Sequence, residues 1–513
     1  MLQQNFAYLL EKKAFLHPED IAVVEAHNEK RYTYLELCQR SSRLANCLKE
    51  SGIEKGDRIS CLTANSVEYI DLFMAAARLG AILTPLNHRL APVEMIKILG
   101  DSKPKVFIFD GEFGPVVQQI AAAYPDPMLM LYFGSGELNW AKRMEEAVSQ
   151  HGVTGPEIAG DSEDPLLMLY TAGSTGRPKG VPLKQTNLFF NAVNWIMDVG
   201  ITKADFTMTT IPLFHIGGHM LWTLPHLMVG GKVLLQRRFE PEATLKLLTQ
   251  EKITNVYFIP AMAKMVLALP HWKEYDLSRL RFIGAGGEPV PEKVTHAFGE
   301  IGIPVLNSYG LTETSDGTTT MRPWDALGKP ANCIGKPMTM TDVRIVDSNG
   351  RDVGAGTEGE ILHRGPSVVN EYWHRPEESA KAFRDGWLHT GDRAVRDEAG
   401  FIHFLGRKDD MIITGGENVY PAEVEEVILS HSKVADVAIL GIPDDKWGQT
   451  IKAVIAPKSG MSIETQEILG HVKARLSGFK QPRLIQFVES LPKIGSGKLD
   501  RVSIKNLYGL KNG

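Results

Sequence analysis

The sequence predicts an α/β protein interrupted by an antiparallel β region and completed by a smaller α+β part at its C-terminal end. Three observations predict this. Over roughly the first 330 residues, short and wholly apolar strand-like runs alternate with helical patterns, as in parallel sheets covered on both faces. After that point VRIVD, EILHRG and FIHFLGR are short runs joined by Gly- and Asn-containing turns with few helices between them, a hairpin pattern. The last hundred residues return to alternation, through AEVEEVILS, VADVAILGIP, IKAVIAPK, ILGHVKARLS and RLIQFVE.

Taken in order, Thr33 and Glu36 have capping-box spacing before a helical stretch that ends near Gly52, since the two side chains can satisfy each other's backbone N–H groups. RISCLTAN (58–65) reads as a strand, VEYIDLFMAAARLG as an apolar helix and AILTPLN as the next strand. The rhythm recurs at KVFIFD (105–110), MLMLYFG (128–134), LLMLYTAG (166–173), KVLLQ (232–236), NVYFIP (255–260) and RFIGAGG (281–287), with PEATLKLLTQEK among the separating helices. A charged turn at Gly406–Asp410 joins two strand-like runs and marks a boundary. Gly354 to Gly359 matches GxGxxG, but it lies between two β-like runs and opens no helix, so it reads as a turn rather than a dinucleotide site.

The chain has 513 residues, enough for about three or four compact units at roughly 100–200 residues each. Hydrophobic residues make up 43% and charged residues 23%, the values of an ordinary folded chain. Acidic residues (61) outnumber basic ones (56) for a net charge of −5, so no basic excess points to nucleic acid. Cys38, Cys47, Cys61 and Cys333 show no CxxC spacing, which supports neither a zinc site nor a disulfide framework and fits a reducing cytoplasm. The start, MLQQNFAYLLEKKAF, lacks the basic, apolar and small-residue succession of a signal peptide. The longest apolar stretch, Leu72 to Leu86, is broken by Arg78, Gly80 and Pro85 and is too mixed to cross a bilayer. These readings predict a cytoplasmic chain with no integral membrane segment and no nucleic-acid partner. A homodimer remains open.

The strongest local signal runs from Tyr170 to Gly180, YTAGSTGRPKG, where an apolar strand enters a loop holding Gly173, Gly176 and Gly180. Glycines let the backbone approach an anion, and successive N–H groups can surround phosphate oxygens. Thr171, Ser174 and Thr175 add hydroxyls and Lys179 adds a cation. It is not the common P-loop, in which GK precedes Ser or Thr; the GK pairs at Gly231, Gly328, Gly335 and Gly497 precede Val, Pro, Pro and Leu.

Three further motifs follow in order: YGLTE from Tyr309 to Glu313, GWLHTGD from Gly386 to Asp392, and LPKIGSGKLDR from Leu491 to Arg501. With the 170–180 loop and GRKDD from Gly406 to Asp410, they resemble the adenylate-forming superfamily of acyl-CoA synthetases, luciferases and peptide-synthetase adenylation domains. The resemblance covers essentially the whole chain. It implies an N-terminal AMP-binding part over 1–405, made of two α/β subdomains and a small β-barrel-like subdomain. A hinge at 406–410 and a mobile C-terminal catalytic lid over 411–513 would complete it. Lys179, Thr171, Gly173, Ser174, Thr175 and Gly176 would hold the β- and γ-phosphates of ATP. Tyr309 would stack on adenine beside Gly286, Gly287 and Glu288, with Asn307 also at the nucleotide. Thr312 would contact the α-phosphate, and Glu313 would hold Mg²⁺, which prefers oxygen ligands. Asp392 would accept both ribose hydroxyls, with Arg407 nearby, and Lys498 would bridge the acid's carboxylate and the α-phosphate. Asp409 takes the hinge position. The resemblance requires no protein nucleophile.

For the acid, the segment Phe214-His215-Ile216-Gly217-Gly218 resembles the acyl pocket of fatty- and aryl-acid CoA ligases. Amino-acid-activating relatives place an Asp near this point, so His215 counts against an amino-acid substrate. Phe214, His215, Gly217, Tyr257, Phe258, Ala285, Gly310 and Ser315 are the expected lining, with Asp316 and Thr318 adding polarity. A medium- or long-chain fatty acid or a ring-bearing acid is expected. The histidines at 215 and 219 are not expected to bind metal, because Gly217 and Gly218 lie between them and no Glu follows His215. Coenzyme A is the expected acceptor, lined by Gly415, Gly416, Glu417 and Trp447, ahead of a carrier protein in trans or a silent nucleotide-binding role. Two positions depart from the family: Ala172 replaces a Ser, and Gln185 replaces a His that bears on the gating of the acyl tunnel.

Overall fold

The computed structural model describes residues 4–126, 128–171, 178–288, 290–407, 410–414, 417–444, 448–476, 478–494 and 497–509. Four sheets organise these residues. The first sheet has seven strands, in the spatial order Lys142–Arg143, Leu129–Phe133, Val106–Asp110, Arg58–Leu62, Ile82–Pro85, Pro165–Thr171 and Lys179–Lys184. All neighbours are parallel except the last pair. The second has nine strands, with Phe282–Gly286, Asn255–Phe258, Phe206–Thr209 and Lys232–Leu235 as its parallel centre. Ile21–Glu25 joins it parallel to Lys232–Leu235, and Arg31–Thr33 closes that edge. Val305–Leu311, Asp316–Thr320 and Lys336–Pro337 extend the other edge.

The helix over Val67–Leu79 is buried along nearly its whole length. Its residues are mostly apolar, its charged ones are paired (Glu68 and Asp71 with Arg40, Arg78 with Glu11), and it packs against the helices Phe6–Leu16 and Tyr34–Glu50. Tyr34–Glu50 carries the expected capping box. Thr33 N–H donates to Glu36 at 2.8 Å, and Glu36 N–H donates to the Thr33 hydroxyl at 3.1 Å. Gly80 ends the buried helix in the left-handed region at φ +68°, where a side chain would be strained.

The third sheet is antiparallel: Asp342–Val346, Glu358–Arg364 and Trp387–Arg396, with Phe383–Arg384 and Ile402–Arg407 both pairing Trp387–Arg396. Residues 354–357 form the turn between its first two strands, so the GxGxxG match is a hairpin connection. The fourth sheet starts at Ile412–Thr414 and contains Glu417–Val419, Gly448–Pro457, Val434–Asp444 and Leu484–Phe487. Its own apolar cluster includes Ile412, Val424, Ile428, Ile439 and Ile455.

Two features differ from the sequence reading. The change of pattern near residue 330 does not mark the start of the antiparallel sheet, since Lys336–Pro337 still pairs within the nine-stranded sheet. The strand after the Gly-rich loop is one the sequence reading did not place. Lys179–Lys184 pairs back on Pro165–Thr171, with Thr171 opposite Lys179, so the loop closes a hairpin and Lys179 lies on a strand.

Candidate active site

The C-terminal ends of the parallel strands Phe282–Gly286 and Val305–Leu311 lie side by side, where open α/β sheets bind ligands. Small residues let the chain pack closely there. A Cβ on Gly310 would fall 1.8 Å from the Asp316 carbonyl oxygen, and one on Gly286 would fall 2.3 Å from the Tyr257 hydroxyl. Tyr309 ends this strand with its hydroxyl donating to Asp392 Oδ2 at 2.5 Å. Its ring packs beside His363 and Phe404 at 5.6 and 5.8 Å between centroids. Asp392 comes from the third sheet, directly across from Arg407, whose Nε lies 3.3 Å from its Oδ1. Burial pushes the Asp392 carboxyl up, against the pull of Arg407 and the Tyr309 hydroxyl.

The phosphate end begins where strand Val305–Leu311 breaks into a 3₁₀ turn, Thr312–Thr314. Glu313 Oε1 accepts the Tyr372 hydroxyl at 2.8 Å, and its backbone carbonyl accepts the Val369 N–H at 2.9 Å. The ammonium of Lys179 sits 5.1 Å from the centroid of the same tyrosine ring and 2.6 Å from Glu378 Oε2. The structure therefore gathers Thr171, Lys179 and Glu313 at one end of the cleft. Gly173, Ser174, Thr175 and Gly176 lie outside the described residues.

Lys498 enters from the C-terminal part. Gly497 turns the chain at φ +89°, and Lys498 Nζ donates to the Gly287 carbonyl. Its charge reaches Glu288, Asp316 and His215. Burial pushes Glu288 up while Lys498, Lys264 and Lys493 pull it down. The lysine is thus already beside the end of strand Phe282–Gly286.

The acyl side is built around a π-helical stretch, Gly218–Thr223, a rare form often found at functional sites. A narrow space of about 10 Å³, room for one water, is lined by residues 208–211, Gly217, Gly218, Trp222 and Tyr257. Trp222 and Tyr257 are almost fully buried and pack edge to face at 5.6 Å, and the Tyr257 hydroxyl shares a hydrogen bond with Ser308 at 2.8 Å. Burial, helped by the cations Lys498 and Arg89, lowers His215 to about 3. Burial raises Asp316 to about 8.

Other expected residues are spent on support. The Ser315 hydroxyl donates to the Ser367 carbonyl at 2.8 Å. The Asn307 amide donates to the Ala331 and Cys333 carbonyls at 2.9 and 2.8 Å. Gln185 accepts the Phe6 N–H at 3.1 Å and donates to the Asp161 carbonyl at 3.3 Å, so it ties down the N-terminal helix rather than facing the acyl cleft. His219 is buried against Tyr69 at 2.6 Å, away from His215. Gly415, Gly416, Trp447 and Asp409 lie outside the described residues, and so does the side chain of Glu417. The sequence reading missed Tyr372, Glu378, His363, Phe404 and Trp222, which no spacing marks out.

A cleft with a buried carboxylate beside a tyrosine, a lysine and a glutamate at its far end, and a second lysine supplied by the C-terminal part is an arrangement suited to a nucleotide-binding, acid-activating enzyme. The AMP-binding enzyme family matches residues 10–373, and the AMP-binding enzyme C-terminal domain matches residues 423–498. The feruloyl-CoA synthase of an Amycolatopsis species is 36% identical over 498 residues, spanning 97% of this chain and 98% of that protein. A long-chain-fatty-acid–CoA ligase of Mycobacterium tuberculosis is 33% identical over 508 residues, spanning 98% and 99%. The crystal structure of an anthranilate CoA ligase in complex with anthranoyl-AMP superposes with a TM-score of 0.92 at 28% identity, covering 98% of this chain and 97% of that one. The chain belongs to the AMP-binding enzyme family. It is an ATP-dependent carboxylic acid–CoA ligase that forms an acyl adenylate and then a thioester. Among the described residues no helix is long and apolar enough to cross a membrane.

Proposed function

We propose that the acid is compact and ring-bearing, and that the residues gathered above divide the two half-reactions between them. One observation carries the substrate reading: Trp222 and Tyr257 pack edge to face and line the same narrow space as Gly217 and Gly218. Aromatic rings there favour stacking on a flat ring over contact with an extended alkyl chain. The feruloyl and anthranilate relatives favour the same reading, whereas the long-chain relative stands for the other.

In the first half-reaction a carboxylate oxygen attacks the α-phosphorus and the bond to pyrophosphate breaks. Like charges must meet, so cations and fixed donors supply most of the help. Lys498 neutralises the acid and the α-phosphate. Thr312 donates to the α-phosphate, and Lys179 takes the outgoing pyrophosphate charge. Tyr309 stacks on adenine, and Asp392 accepts the ribose hydroxyls. Glu313 Oε2 has no hydrogen-bond partner among the described residues. One carboxylate beside the phosphates is the setting Mg²⁺ prefers. There the bound ion would offset phosphate charge. In the second half-reaction the thiol of CoA attacks the acyl carbon and AMP leaves. The C-terminal part rotates about Asp409 between the two, bringing the loop of Gly415, Gly416 and Glu417, with Trp447, to the thiol channel.

A panel of ring-bearing and C8–C16 acids, assayed with CoA and read by AMP release, tests the substrate reading. At least tenfold higher kcat/KM for a ring-bearing acid is expected; a clear preference for the alkyl acids would sink it. Lys498→Ala should slow adenylation about 10²–10³-fold and spare thioester formation from supplied acyl adenylate. Equal loss in both steps would mean that Lys498 does not act specifically at the α-phosphate.

A further inference from the structure

The C-terminal part holds a buried ion pair that the chemistry above does not use. Glu425 lies on the helix Pro421–Leu429 and is buried there. Its Oε1 accepts the Ile439 N–H at 2.8 Å. The Arg501 guanidinium then grips both carboxylate oxygens, Nη1 on Oε1 at 2.7 Å and Nη2 on Oε2 at 2.6 Å. A two-pronged contact of this kind fixes direction as well as distance.

Arg501 opens the helix Arg501–Tyr508, three residues beyond Lys498. The chain before it doubles back on itself. Lys493 and Leu499 pair as an antiparallel bridge, the Ile494 N–H donates to the Lys498 carbonyl at 2.8 Å, and the Asp500 N–H donates to the Pro492 carbonyl at 2.9 Å. Lys498 stands near the tip, with its Nζ on the Gly287 carbonyl. Each leg of this hairpin is tied to the C-terminal part by an ion pair. Lys493 meets Asp436 at 2.7 Å on one leg, with both side chains partly exposed. Arg501 meets the buried Glu425 on the other. An exposed pair is worth about 0–1 kcal/mol, whereas a buried one is costly to break. The second anchor is therefore the firmer. A lysine has a flexible four-carbon stem, so the place where its backbone is held decides where its ammonium can reach.

We propose that Glu425, acting through Arg501, is a positioning residue that sets the reach of Lys498 into the cleft for adenylation. This rests on the role given to Lys498 above and deepens it. The anchor makes the helix Pro421–Leu429 and the Lys498 hairpin move as one body, so docking of the C-terminal part carries the ammonium to the Gly287 end of the cleft. The competing role is a plain brace, because Glu425 also ties its helix to the strand Val434–Asp444 through the Ile439 N–H. A brace would serve both half-reactions alike, whereas Lys498 serves the first.

The test measures pyrophosphate exchange and thioester formation from supplied acyl adenylate in the wild type, Glu425→Gln, Arg501→Lys, Lys498→Ala and the double variant Glu425→Gln/Lys498→Ala. Glu425→Gln should lower kcat for adenylation about 10–50-fold, the scale of a displaced catalytic group, with KM for ATP and for the acid changed less than about twofold. Its thioester step should stay within about twofold of wild type. Arg501→Lys, which keeps the charge but loses the fork, should recover part of the rate. In the Lys498→Ala background Glu425→Gln should cost nothing further. The two half-reactions are compared within one enzyme sample, so partial misfolding does not imitate the effect. Equal loss in both half-reactions, an undiminished loss in the Lys498→Ala background, or adenylation unchanged in Glu425→Gln overturns the proposal. If Lys498→Ala alone slows both half-reactions equally, the role given to Lys498 falls and takes this one with it.

Discussion

Lys179 meets a carboxylate before any nucleotide arrives. Its ammonium lies 2.6 Å from Glu378 Oε2, so on the role proposed for Lys179 ATP exchanges that contact for its own phosphates. A partly exposed pair of this kind is worth about 0–1 kcal/mol. Glu378→Gln should therefore lower KM for ATP about two- to fivefold with little change in kcat. Pyrophosphate exchange at varied ATP measures it, and a raised KM would instead place Glu378 among the groups that help bind MgATP. Asp316 makes a second residue-scale prediction. Its folded-state pKa, about 8, is raised from 3.8, so across pH 6–8 the folded protein holds a proton that the unfolded chain has released. The stability tied to that proton is complete below the unfolded value and is lost as pH rises through the folded one. Wild-type stability should fall relative to Asp316→Asn by roughly 1.4 kcal/mol per pH unit in that window. Denaturant titrations at pH 6, 7 and 8 measure the difference, and parallel curves would mean that Asp316 is ionised throughout. Tyr309, Asp392 and Lys498 could be picked out in advance because each belongs to a contiguous motif. Tyr372 and Glu378 could not, because their partners Glu313 and Lys179 come from other sheets and only the tertiary fold brings them together.

At the scale of elements, local chemistry was legible and edge pairing was not. Thr33 and Glu36 announce their helix because both halves of the capping box lie within one turn. The hairpin around the Gly-rich loop was hidden because the apolar run of Pro165–Thr171 resembles its parallel neighbours, while Lys179–Lys184 carries a proline and two lysines. Proline and charge are what an edge strand tolerates. Nor does any local pattern tell Ile21–Glu25 to pair with Lys232–Leu235, far along the chain. The close approach at Gly310 belongs to this scale too. An added methyl would meet the Asp316 carbonyl oxygen at 1.8 Å, and that segment cannot retreat while Asn191 holds Thr314 and Gly317. Gly310→Ala should cost about 1–3 kcal/mol, as overpacking does, and lower adenylation more than tenfold. Thermal unfolding and pyrophosphate exchange check both parts; unchanged stability would show that the loop yields after all.

For the whole molecule, the position of the C-terminal part is an electrostatic compromise. Lys493 pairs with Asp436 at 2.7 Å, and both act on Lys264 and Glu288 across the cleft. These contacts, with Lys498 on the Gly287 carbonyl, favour the arrangement proposed above for adenylation. Against them, Glu426 is pushed up by burial and by the like charges of Glu292 and Glu423. Glu292 lies on the opposing helix Glu292–Gly299, so this repulsion loosens the same interface. The proposed rotation between half-reactions is served by such balance, since a lid bound too tightly would stall the second step. Glu426→Lys turns the repulsion into attraction. It should leave pyrophosphate exchange at or above the wild-type rate while slowing acyl-CoA formation about three- to tenfold at low ionic strength. Raising the salt should restore much of the loss, because charges near the surface are screened beyond about 8 Å at 0.15 M. Equal slowing of both half-reactions, or a defect indifferent to salt, would rule out this interface as the brake on rotation.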